Sequence, residues 1–397
     1  MVITTLFYIF VAVTIIQIIY YLVFAAFAFS KDEKQKTNQN LPVSVIICAK
    51  NEAKNLPEFL PTILNQNYSE FEIVLINDAS IDDTLEIMEA FKKENNNIKI
   101  VNVENNEAFW GNKKYALTLG IKAAKHEHLL FTDADCKVVS KNWISEMTSH
   151  FSTEKSIVLG YGKYNTSKPS LVNLFVKYET LLTAVQYFSY VKIGSPYMAV
   201  GRNLAYTKSE FYKVKGFINH MNIRSGDDDL FIQDAATKNN TTTCISTDSF
   251  TLSEPPKTLK EWVLQKRRHI STAQFYKAKH KFLLGLFYGS QFFFWMLGIF
   301  LILQDFNWPW VIGLVALRFI IQLICFGFTA KKLDDIKEQA KLSPAEKKKI
   351  VKEAVNDELS VSVTESEKNK ITEDLKEGKP LSAEDADKLV KALDREK

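Results

Sequence analysis

Three long apolar runs dominate the hydrophobic pattern of this chain. Residues 2–30 contain no charged side chain, and two further apolar runs cover 282–303 and 308–330. A helix needs about 20 residues to cross the hydrocarbon core of a bilayer. The pattern therefore predicts an N-terminal transmembrane helix over 1–30 and a transmembrane helical hairpin over 282–330.

The first run is predicted to be a retained anchor. A cleaved signal peptide is the alternative, but the apolar core of a signal has about 7–15 residues and follows a basic start. This run is much longer, and nothing basic precedes it beyond Met1. The third run contains Arg318. Because a charge inside a bilayer is costly, we expect Arg318 to face a partner helix, a headgroup or a water-filled crevice, or else to snorkel towards an interface.

Basic residues flank the same side of every predicted span, and the side rich in lysine and arginine is usually cytosolic. Segment 31–281 is therefore expected to be cytosolic, in a multi-pass integral membrane protein. The flanking residues are Lys31, Lys34, Lys36, Lys277, Lys279, Lys281, Lys331 and Lys332.

From Pro42 onward, short β-rich runs alternate with longer amphipathic stretches. Such β-α-β-α spacing predicts an α/β, Rossmann-like domain with a mostly parallel sheet and helices on both faces. Ligands of such sheets bind beyond the carboxyl ends of the strands, so the polar residues that follow each strand form a candidate site. The β-rich runs are 43–48, 71–76, 98–103 and 128–131.

Two other segments have distinct patterns. Residues 169–193 carry apolar side chains at helical spacing with few charges, which predicts a helix that lies in the membrane interface or packs under the site. Residues 331–397 are dense in Lys, Glu and Asp, contain no aromatic residue and hold three capping-box patterns. They predict a charged helical appendage, either a native tail or an appended segment.

Bulk composition excludes little. The formal net charge is only +4, from 50 basic and 46 acidic residues, and does not indicate a nucleic-acid partner. The four cysteines, Cys48, Cys136, Cys244 and Cys325, form no CxxC pair. Their scatter argues against a disulfide framework or a zinc site and predicts buried thiols in a reducing compartment.

Asp133 and Asp135 follow an apolar strand with the spacing Asp-x-Asp, which suits a hard divalent cation bound by oxygen. Asp78 ends another strand, where it can accept a hydrogen bond from a ligand, although helix capping by Asp78 or its neighbours is the more ordinary role. Lys113 precedes a predicted helix, where it can reach a phosphate or stay solvated. Each signal is weak alone.

Together, these motifs resemble the inverting family-2 glycosyltransferases, the group that includes cellulose, chitin and hyaluronan synthases and ceramide glucosyltransferases. The similarity covers a domain over 41–270 and implies a GT-A fold. Its motifs are, in order, VSVIICAKNEAKNL (43–56), VLINDASIDDT (74–84), the Lys113 segment and FTDAD (131–135).

The resemblance implies a nucleotide-sugar donor, usually a UDP-sugar, and Mg2+ or Mn2+. Asp78 and Lys113 would hold the nucleotide, helped by Asn51 and Glu52. Asp133 and Asp135 would bind the cation at the donor diphosphate. A bacterial inner membrane is the location expected for such an enzyme.

Further motifs complete the resemblance. One of them is the acidic base motif of the family, which the run Ser225-Gly226-Asp227-Asp228-Asp229 resembles. In this motif Asp228 would be the general base, and Asp227 stands in place of the usual Glu. The alternative is a solvated turn before a helix. Gln265 and Arg268 match the Gln-x-x-Arg-Trp signature, in which His269 replaces the tryptophan. The resemblance implies that Gln265, Arg267 and Arg268 contact the donor and that the two arginines neutralise its diphosphate. The alternative is that these residues form a basic patch that faces the membrane. Arg202, Asn203 and His269 are predicted to contact the acceptor.

Three functions remain open from the sequence. The favoured one is an inverting hexosyltransferase that adds a sugar to a lipid acceptor at the cytosolic membrane face, because relatives that form a polymer channel have more than three spans and keep the tryptophan. The alternative is a processive polysaccharide synthase with a glycan acceptor, which would need partners or an oligomer. A scaffold without turnover is disfavoured because Asp133, Asp135 and Asp228 are all present.

Overall fold

The structure is a computed structural model that describes residues 1–30, 40–104, 113–165 and 171–333. The predicted appendage over 331–397 lies outside the described residues from position 334 onward, as do Lys31, Lys34 and Lys36.

Strands and helices alternate over residues 43–133. The strands are β1 (Val43–Ala49), β2 (Phe71–Asp78), β3 (Ile98–Val103), β4 (His128–Asp133), β5 (Cys136–Val138), β6 (Ile157–Leu159), β7 (Gly162–Tyr164), β8 (Leu204–Thr207), β9 (Thr241–Thr243) and β10 (Thr251–Ser253). The helices are α1 (Val2–Phe29), α2 (Asn55–Leu64), α3 (Thr84–Glu94), α4 (Lys113–Ala123), α5 (Trp143–Thr148), α6 (Leu171–Lys192), α7 (Lys208–Lys213), α8 (Asp229–Ala235), α9 (Leu259–Ile270), α10 (Ala278–Leu303) and α11 (Trp308–Leu333).

The main sheet has the order β3-β2-β1-β4-β8-β6-β9. Its first four strands run parallel, as the sequence predicts, and β8 is antiparallel to both β4 and β6. A small second sheet has the order β5-β10-β7. Because β1 and β4 lie at the centre of the main sheet, the residues that follow them reach the middle of its carboxyl edge.

Strand β1 is apolar at nearly every position because it is covered on both faces, as central strands of parallel sheets are. Helix α4 approaches this sheet very closely at Gly120. A Cβ atom there would clash with the end of the Ile76 side chain of β2, so a larger residue would require that side chain to shift. Helix α4 begins with Lys113 and Lys114.

Three helices, α1, α10 and α11, are long and apolar enough to cross a membrane. They match the predicted spans, except that α10 begins at Ala278 rather than Phe282. The extra turn carries exposed Lys279 and Lys281, which a helix tolerates where it leaves the apolar layer. Arg318 is 1% exposed and hydrogen-bonds to α1, so it faces a partner helix rather than snorkelling.

Helix α6 packs between α1 and the soluble domain. Phe188 stacks on Phe27 of α1 with ring centroids 5.0 Å apart, and Tyr187 donates a hydrogen bond to the carbonyl of Gly160 beside β7. The second half of α6 therefore packs against the rest of the protein, as one of the two alternatives for residues 169–193 predicts. Its first half exposes Phe175 and Tyr178, and an interfacial position for 169–193 stays a prediction.

The cysteines are free, and Cys136, Cys244 and Cys325 are buried. This agrees with the expectation of buried apolar thiols.

Candidate active site

The predicted ligand-binding loops meet at one edge of the main sheet. In the parallel registers, Ala49 of β1 lies opposite Asn77 of β2, and Cys48 lies opposite Asp133 of β4. Asp78, which ends β2, and the residues that follow β1 and β4, including Asn51 and Asp135, therefore lie at the same edge of the sheet.

The loops after β1 and β2 are tied together by Asn51, which has a left-handed backbone with φ of 59°. Its amide N–H donates to Ser80 Oγ at 3.0 Å, and its side-chain oxygen accepts from the N–H of Ile81 at 2.9 Å. Asparagine tolerates this conformation better than most residues. The described contacts of Asn51 thus hold the loops after β1 and β2 together.

Glu52 and Asp78 place acidic groups at the same edge of the sheet. Asn55 donates to Glu52 Oε2 at 2.6 Å, and partial burial together with the nearby Asp135 raises the pKa of Glu52. Asp78 is 9% exposed and lies 3.6 Å from the ammonium of Lys50. The N-cap residue of α3 is Asp83, and its side chain makes no capping hydrogen bond. Asp82, one residue earlier, accepts through Oδ1 from the N–H of Thr84 at 3.2 Å, so, among the described hydrogen bonds, Asp82 is the candidate whose side chain contacts the helix start.

Asp133, Asp135 and Cys136 form a compact group of potential metal ligands. One donor atom from each lies within 4.8 Å of the others. The pKa of Asp135 is raised because surrounding protein atoms partly desolvate its carboxylate and because Asp133 lies beside it. A bound cation would relieve this repulsion, so two carboxylates in this arrangement suit a divalent ion.

Lys113 bridges the two acidic motifs. Its Nζ lies 2.8 Å from Asp133 Oδ1 and 3.2 Å from Asp227 Oδ2. Burial opposes its charge, but the carboxylates of Asp133 and Asp227 raise its pKa well above the ordinary value. In turn, although burial opposes ionisation of Asp133, Lys113 lowers the pKa of that carboxyl. A cation held between these motifs is placed to meet a phosphate.

Lys114 has a different environment that the sequence did not reveal. Its side chain is fully buried, and Nζ donates to the carbonyls of His220, Ile223 and Ser225 at 3.1, 2.8 and 2.6 Å. Its ammonium therefore organises the loop that leads into Asp227 and Asp228. The only sequence signal was its position beside Lys113.

Asp228 caps the N-terminus of α8 and lies in the cleft wall. Its Oδ2 accepts from the N–H of Gly201 at 2.8 Å, and its Oδ1 accepts from the N–H of Asp229 at 2.7 Å. Burial and the neighbouring carboxylates of Asp227 and Asp229 raise the pKa of Asp228 to about 7. A carboxylate poised near neutrality is suited to accept a proton.

Arg202 and Asn203 have separate surroundings. The guanidinium of Arg202 lies 4.2 Å from the centre of the Tyr164 ring and donates to the carbonyl of Gly162 at 2.8 Å. Asn203 is fully buried, and its amide bonds the carbonyls of Tyr161 and Ser249 and the indole N–H of Trp143. Asn203 therefore supports the site from beneath, and its contacts give no support to the acceptor role predicted for it.

Helix α9 carries the Gln265–His269 motif. Gln265 donates to the hydroxyl of Tyr164 at 2.9 Å, which links the motif through Tyr164 to Arg202. Arg268 contributes to lowering the pKa of Asp133, so its positive charge acts on the Asp-x-Asp motif. Arg267, Arg268 and His269 are exposed. Tyr164 had no sequence signal.

A cleft lies between Asp133 of the Asp-x-Asp motif and the candidate base Asp228. It joins the Lys113–Asp133 pair to Asp227 and Asp228, so these predicted site residues are brought together. The lining residues are Ile46, Cys48, Lys113, Leu117, Phe131, Thr132, Asp133, Gly201, Leu204, Tyr206, Asp227 and Asp228.

Comparison with known proteins agrees with this geometry. The family model described as "Glycosyl transferase family 2" matches residues 44–221, which include β1, β2, α4 and the Asp-x-Asp motif. The chain is 31% identical over 123 residues to glycosyltransferase GlyG of Streptococcus pneumoniae, covering 31% of this chain and 39% of that protein. It is 37% identical over 102 residues to a poly-beta-1,6-N-acetyl-D-glucosamine synthase of Staphylococcus epidermidis, covering 26% of this chain and 24% of that protein.

Among solved structures, the mannosyltransferase PcManGT of Pyrobaculum calidifontis, in complex with GDP-Man and Mn2+, aligns with a TM-score of 0.54. Sequence identity is 17%, and the alignment covers 85% of this chain and 93% of that one. At this identity the similarity establishes the fold alone. Residues 44–221 of this chain are a glycosyl transferase family 2 domain, and the chain that carries them has the GT-A fold.

Proposed function

We propose that this protein transfers a sugar from a nucleotide-sugar, a UDP-sugar, to a lipid acceptor at the cytosolic face of a bacterial inner membrane, with inversion at the anomeric carbon. The family match supports glycosyl transfer in general. The donor, the acceptor and the membrane side are our proposals, argued from the side chains of the cleft.

The observation that carries the proposal is that Asp228 and Asp133, the first residue of the Asp-x-Asp motif, line one cleft. Inverting transfer needs a carboxylate that removes the proton from an acceptor hydroxyl while its oxygen attacks C1 from the side opposite the leaving group. Asp228 meets this need because its pKa is raised to about 7 and both of its oxygens are held by N–H groups. The proton moves from the acceptor oxygen to Asp228.

The groups around Asp133 and Asp78 are suited to the nucleoside diphosphate. Lys113 would contact a phosphate oxygen, Arg202 and Arg268 add positive charge near Asp133, and Asp78 would accept from the uracil or ribose. Asn51 would shape the nucleotide wall and Glu52 would complete it, as the resemblance implies. These groups orient the donor and stabilise negative charge as the C1–oxygen bond breaks.

The Asp133 and Asp135 carboxylates fit Mg2+ or Mn2+ because they are hard oxygen donors close enough to share one ion. Such an ion, when bound, neutralises charge on the departing diphosphate. Lys113 would then exchange its contact with Asp133 for one with the donor.

A lipid acceptor is supported by the surface of α9. This amphipathic helix exposes Leu259 (53%), Val263 (49%) and Leu264 (55%) and carries Arg267 and Arg268 in its last turn. An apolar surface next to basic groups is what an amphiphilic acceptor would contact. His269, exposed at the end of α9, could donate a hydrogen bond to its polar head, and Gln265 would keep α9 against Tyr164.

The direct test is to supply membranes that contain the protein with a panel of labelled nucleotide-sugars, and to identify the product by mass spectrometry. We expect one sugar on a lipid from a UDP-sugar. Transfer from a GDP-sugar alone would contradict the proposal of a UDP-sugar donor. Label found on protein or on a water-soluble glycan would contradict the proposal of a lipid acceptor.

A processive polysaccharide synthase is the second candidate, because 102 residues of the domain are 37% identical to a poly-beta-1,6-N-acetyl-D-glucosamine synthase. Product length separates the two candidates. A ladder of long polymers would overturn the lipid proposal, and a single-sugar glycolipid would overturn the polymer one.

A further inference from the structure

Asp229 follows the candidate base, yet its carboxylate is used in a different way. It is 7% exposed, and its Oδ1 accepts from the N–H of Leu230 at 2.8 Å. Its Oδ2 accepts from two hydroxyls, Thr272 Oγ at 2.5 Å and Tyr276 at 2.6 Å. Both hydroxyl residues are also buried. They lie in the segment 271–277, which connects α9 to α10.

A second contact joins the same two parts one helical turn later. Gln233, also on α8, accepts through Oε1 from the N–H of Lys277 at 3.1 Å and lies 2.9 Å from His280 Nδ1. Residues four apart lie on one face of a helix, so Asp229 and Gln233 hold the connecting segment along a single side of α8. We call this set of contacts the α8 clamp, made by Asp229, Gln233, Thr272, Tyr276 and Lys277.

The clamp acts on the base through one peptide group. The N–H of Asp229 donates to Asp228 Oδ1, so any movement of Asp229 moves a hydrogen-bond donor of Asp228. The connecting segment leads directly into α10, a helix long and apolar enough to cross a membrane. The position of Asp228 is thereby tied to the start of this helix.

We propose that Asp229 is a positioning residue, which sets the orientation of Asp228 by anchoring α8 to the segment between α9 and the membrane-type helix α10. The proposal rests on the proposed function, since it presumes that Asp228 is the base. A solvated turn would need none of these contacts: Asp229 is buried, and two hydroxyls distant in sequence meet on one of its oxygens.

The charge of Asp229 gives the role a separate signature. The titratable groups that influence Asp228 are Asp227 and Asp229 beside it, Lys114 of α4 and Tyr276 of the connecting segment. Burial and the two carboxylates raise the pKa of Asp228. Replacing Asp229 by Asn removes one negative charge and should lower that pKa, which shifts the acid limb of the rate profile to lower pH.

The experiment compares Asp229→Asn, Tyr276→Phe and Thr272→Val with the wild-type protein in membranes. For each we expect kcat to fall about tenfold to a hundredfold, since a misplacement of about 1 Å can cost 10²-fold, while KM for the donor changes little. Asp229→Asn should also move the acid limb. The matched control is Ser156→Ala, which removes a hydroxyl-to-carboxylate hydrogen bond to Glu210 outside the cleft lining and should leave both quantities unchanged.

Hydrogen–deuterium exchange tests the clamp without turnover. Amides of residues 228–236 should exchange faster in Tyr276→Phe and Thr272→Val than in wild type or Ser156→Ala. Unchanged exchange there, or unchanged kcat and acid limb in Asp229→Asn with an active wild type, would overturn the positioning role and leave the proposed function standing. A wild type that transfers no sugar from any donor would overturn the proposed function, and the exchange data would still decide whether the clamp holds α8.

Discussion

At the scale of single residues, Asp228 differs from the other acidic side chains of the cleft in how it is held. Two N–H groups fix its oxygens, and no cation is paired with it in the described contacts, whereas both Asp133 and Asp227 form an ion pair with Lys113. A carboxylate that stays unpaired and has its pKa raised to about 7 can both lose and accept a proton near neutral pH. This difference supports separate roles for two adjacent aspartates.

We expect Asp228→Asn to lower transfer by about 10²–10⁴-fold, the usual contribution of a general base. UDP binding should stay close to wild type, because Asp228 is not among the residues proposed to hold the nucleotide. Transfer is measured with labelled donor, and binding by calorimetry. Glu94→Gln, at the exposed end of α3, is the matched carboxylate-to-amide control. Turnover retained in Asp228→Asn would remove the base assignment.

The pH dependence follows from the same residue. The folded pKa of Asp228 is raised above the ordinary value of 3.8 to about 7, so the ionised form needed to accept a proton is lost as pH falls through that value. We expect kcat to be constant above neutrality and to decrease towards pH 6. A profile flat down to pH 5 would contradict the assignment.

Metal removal tests Asp133 and Asp135. A chelator should abolish transfer, and Mn2+ or Mg2+ should restore it, because both carboxylates offer hard oxygen ligands. Asp135→Asn should require a higher Mn2+ concentration, followed by activity and by the electron paramagnetic resonance of free Mn2+. Full activity in the presence of chelator would count against the site.

At the scale of elements, α4 uses two consecutive lysines for two tasks. Lys113 points to the carboxylates of the cleft, and Lys114 is buried under the loop that precedes α8. Replacing Lys114 by Met should leave the carbonyls of Ile223 and Ser225 without the lysine donor, at a cost of about 1–3 kcal/mol for each unsatisfied group. The carbonyl of His220 still accepts from the N–H of Ile223. We expect a lower unfolding temperature and weaker transfer.

Lys122→Met is the control for this change, since Lys122 is exposed on the same helix. Thermal unfolding in detergent, followed by intrinsic fluorescence, measures the difference. Equal unfolding temperatures for the two variants would show that Lys114 does not stabilise the loop.

The extent to which sequence predicts these elements depends on their length and setting. The four parallel strands were predictable because each is an apolar run followed by polar residues. Strands of only three residues were not predictable, because their pairing partners lie far along the chain. An example is β9, the three threonines Thr241–Thr243, which pairs with β6. The sequence predicted that α6 is a helix. It could not predict which face of α6 is buried, because that depends on the position of α1.

The candidate site shows the same division. The sequence predicted Asp133, Asp135, Asp228 and Lys113, and the structure places Lys113, Asp133 and Asp228 around one cleft, with Asp135 beside Asp133. The sequence could not predict that Asp229 has a different role from Asp227 and Asp228, because that role depends on hydrogen bonds from hydroxyls 43 and 47 residues away. Nor could it show that Asn203 is buried, which depends on Trp143 and two carbonyl groups.

At the scale of the whole molecule, the three apolar helices and the lysines beside them predict an orientation. Cysteines introduced at Gln304, in the turn between α10 and α11, and at Lys155, in the soluble domain, report on opposite sides. A membrane-impermeant maleimide should label Gln304→Cys in intact cells and Lys155→Cys only after permeabilisation. The reverse pattern would contradict a cytosolic domain.

The background for this labelling is low, because Cys136, Cys244 and Cys325 are buried. Cys48 is partly buried, and burial raises the pKa of its thiol to about 12, which keeps it in the unreactive protonated form. The unmodified protein serves as the control.

The guanidinium of Arg318 has a consequence for how the protein is assembled. Its hydrogen bonds go to Gln322 of its own helix and to Gln17 and Tyr21 of α1. Placing an arginine at the centre of a bilayer costs about 2.5–3.5 kcal/mol on insertion scales. Because α1 supplies two of these hydrogen-bond partners, we expect stable insertion of α11 to depend on contact with α1. In that case α1 assists the assembly of the membrane part as well as anchoring the protein.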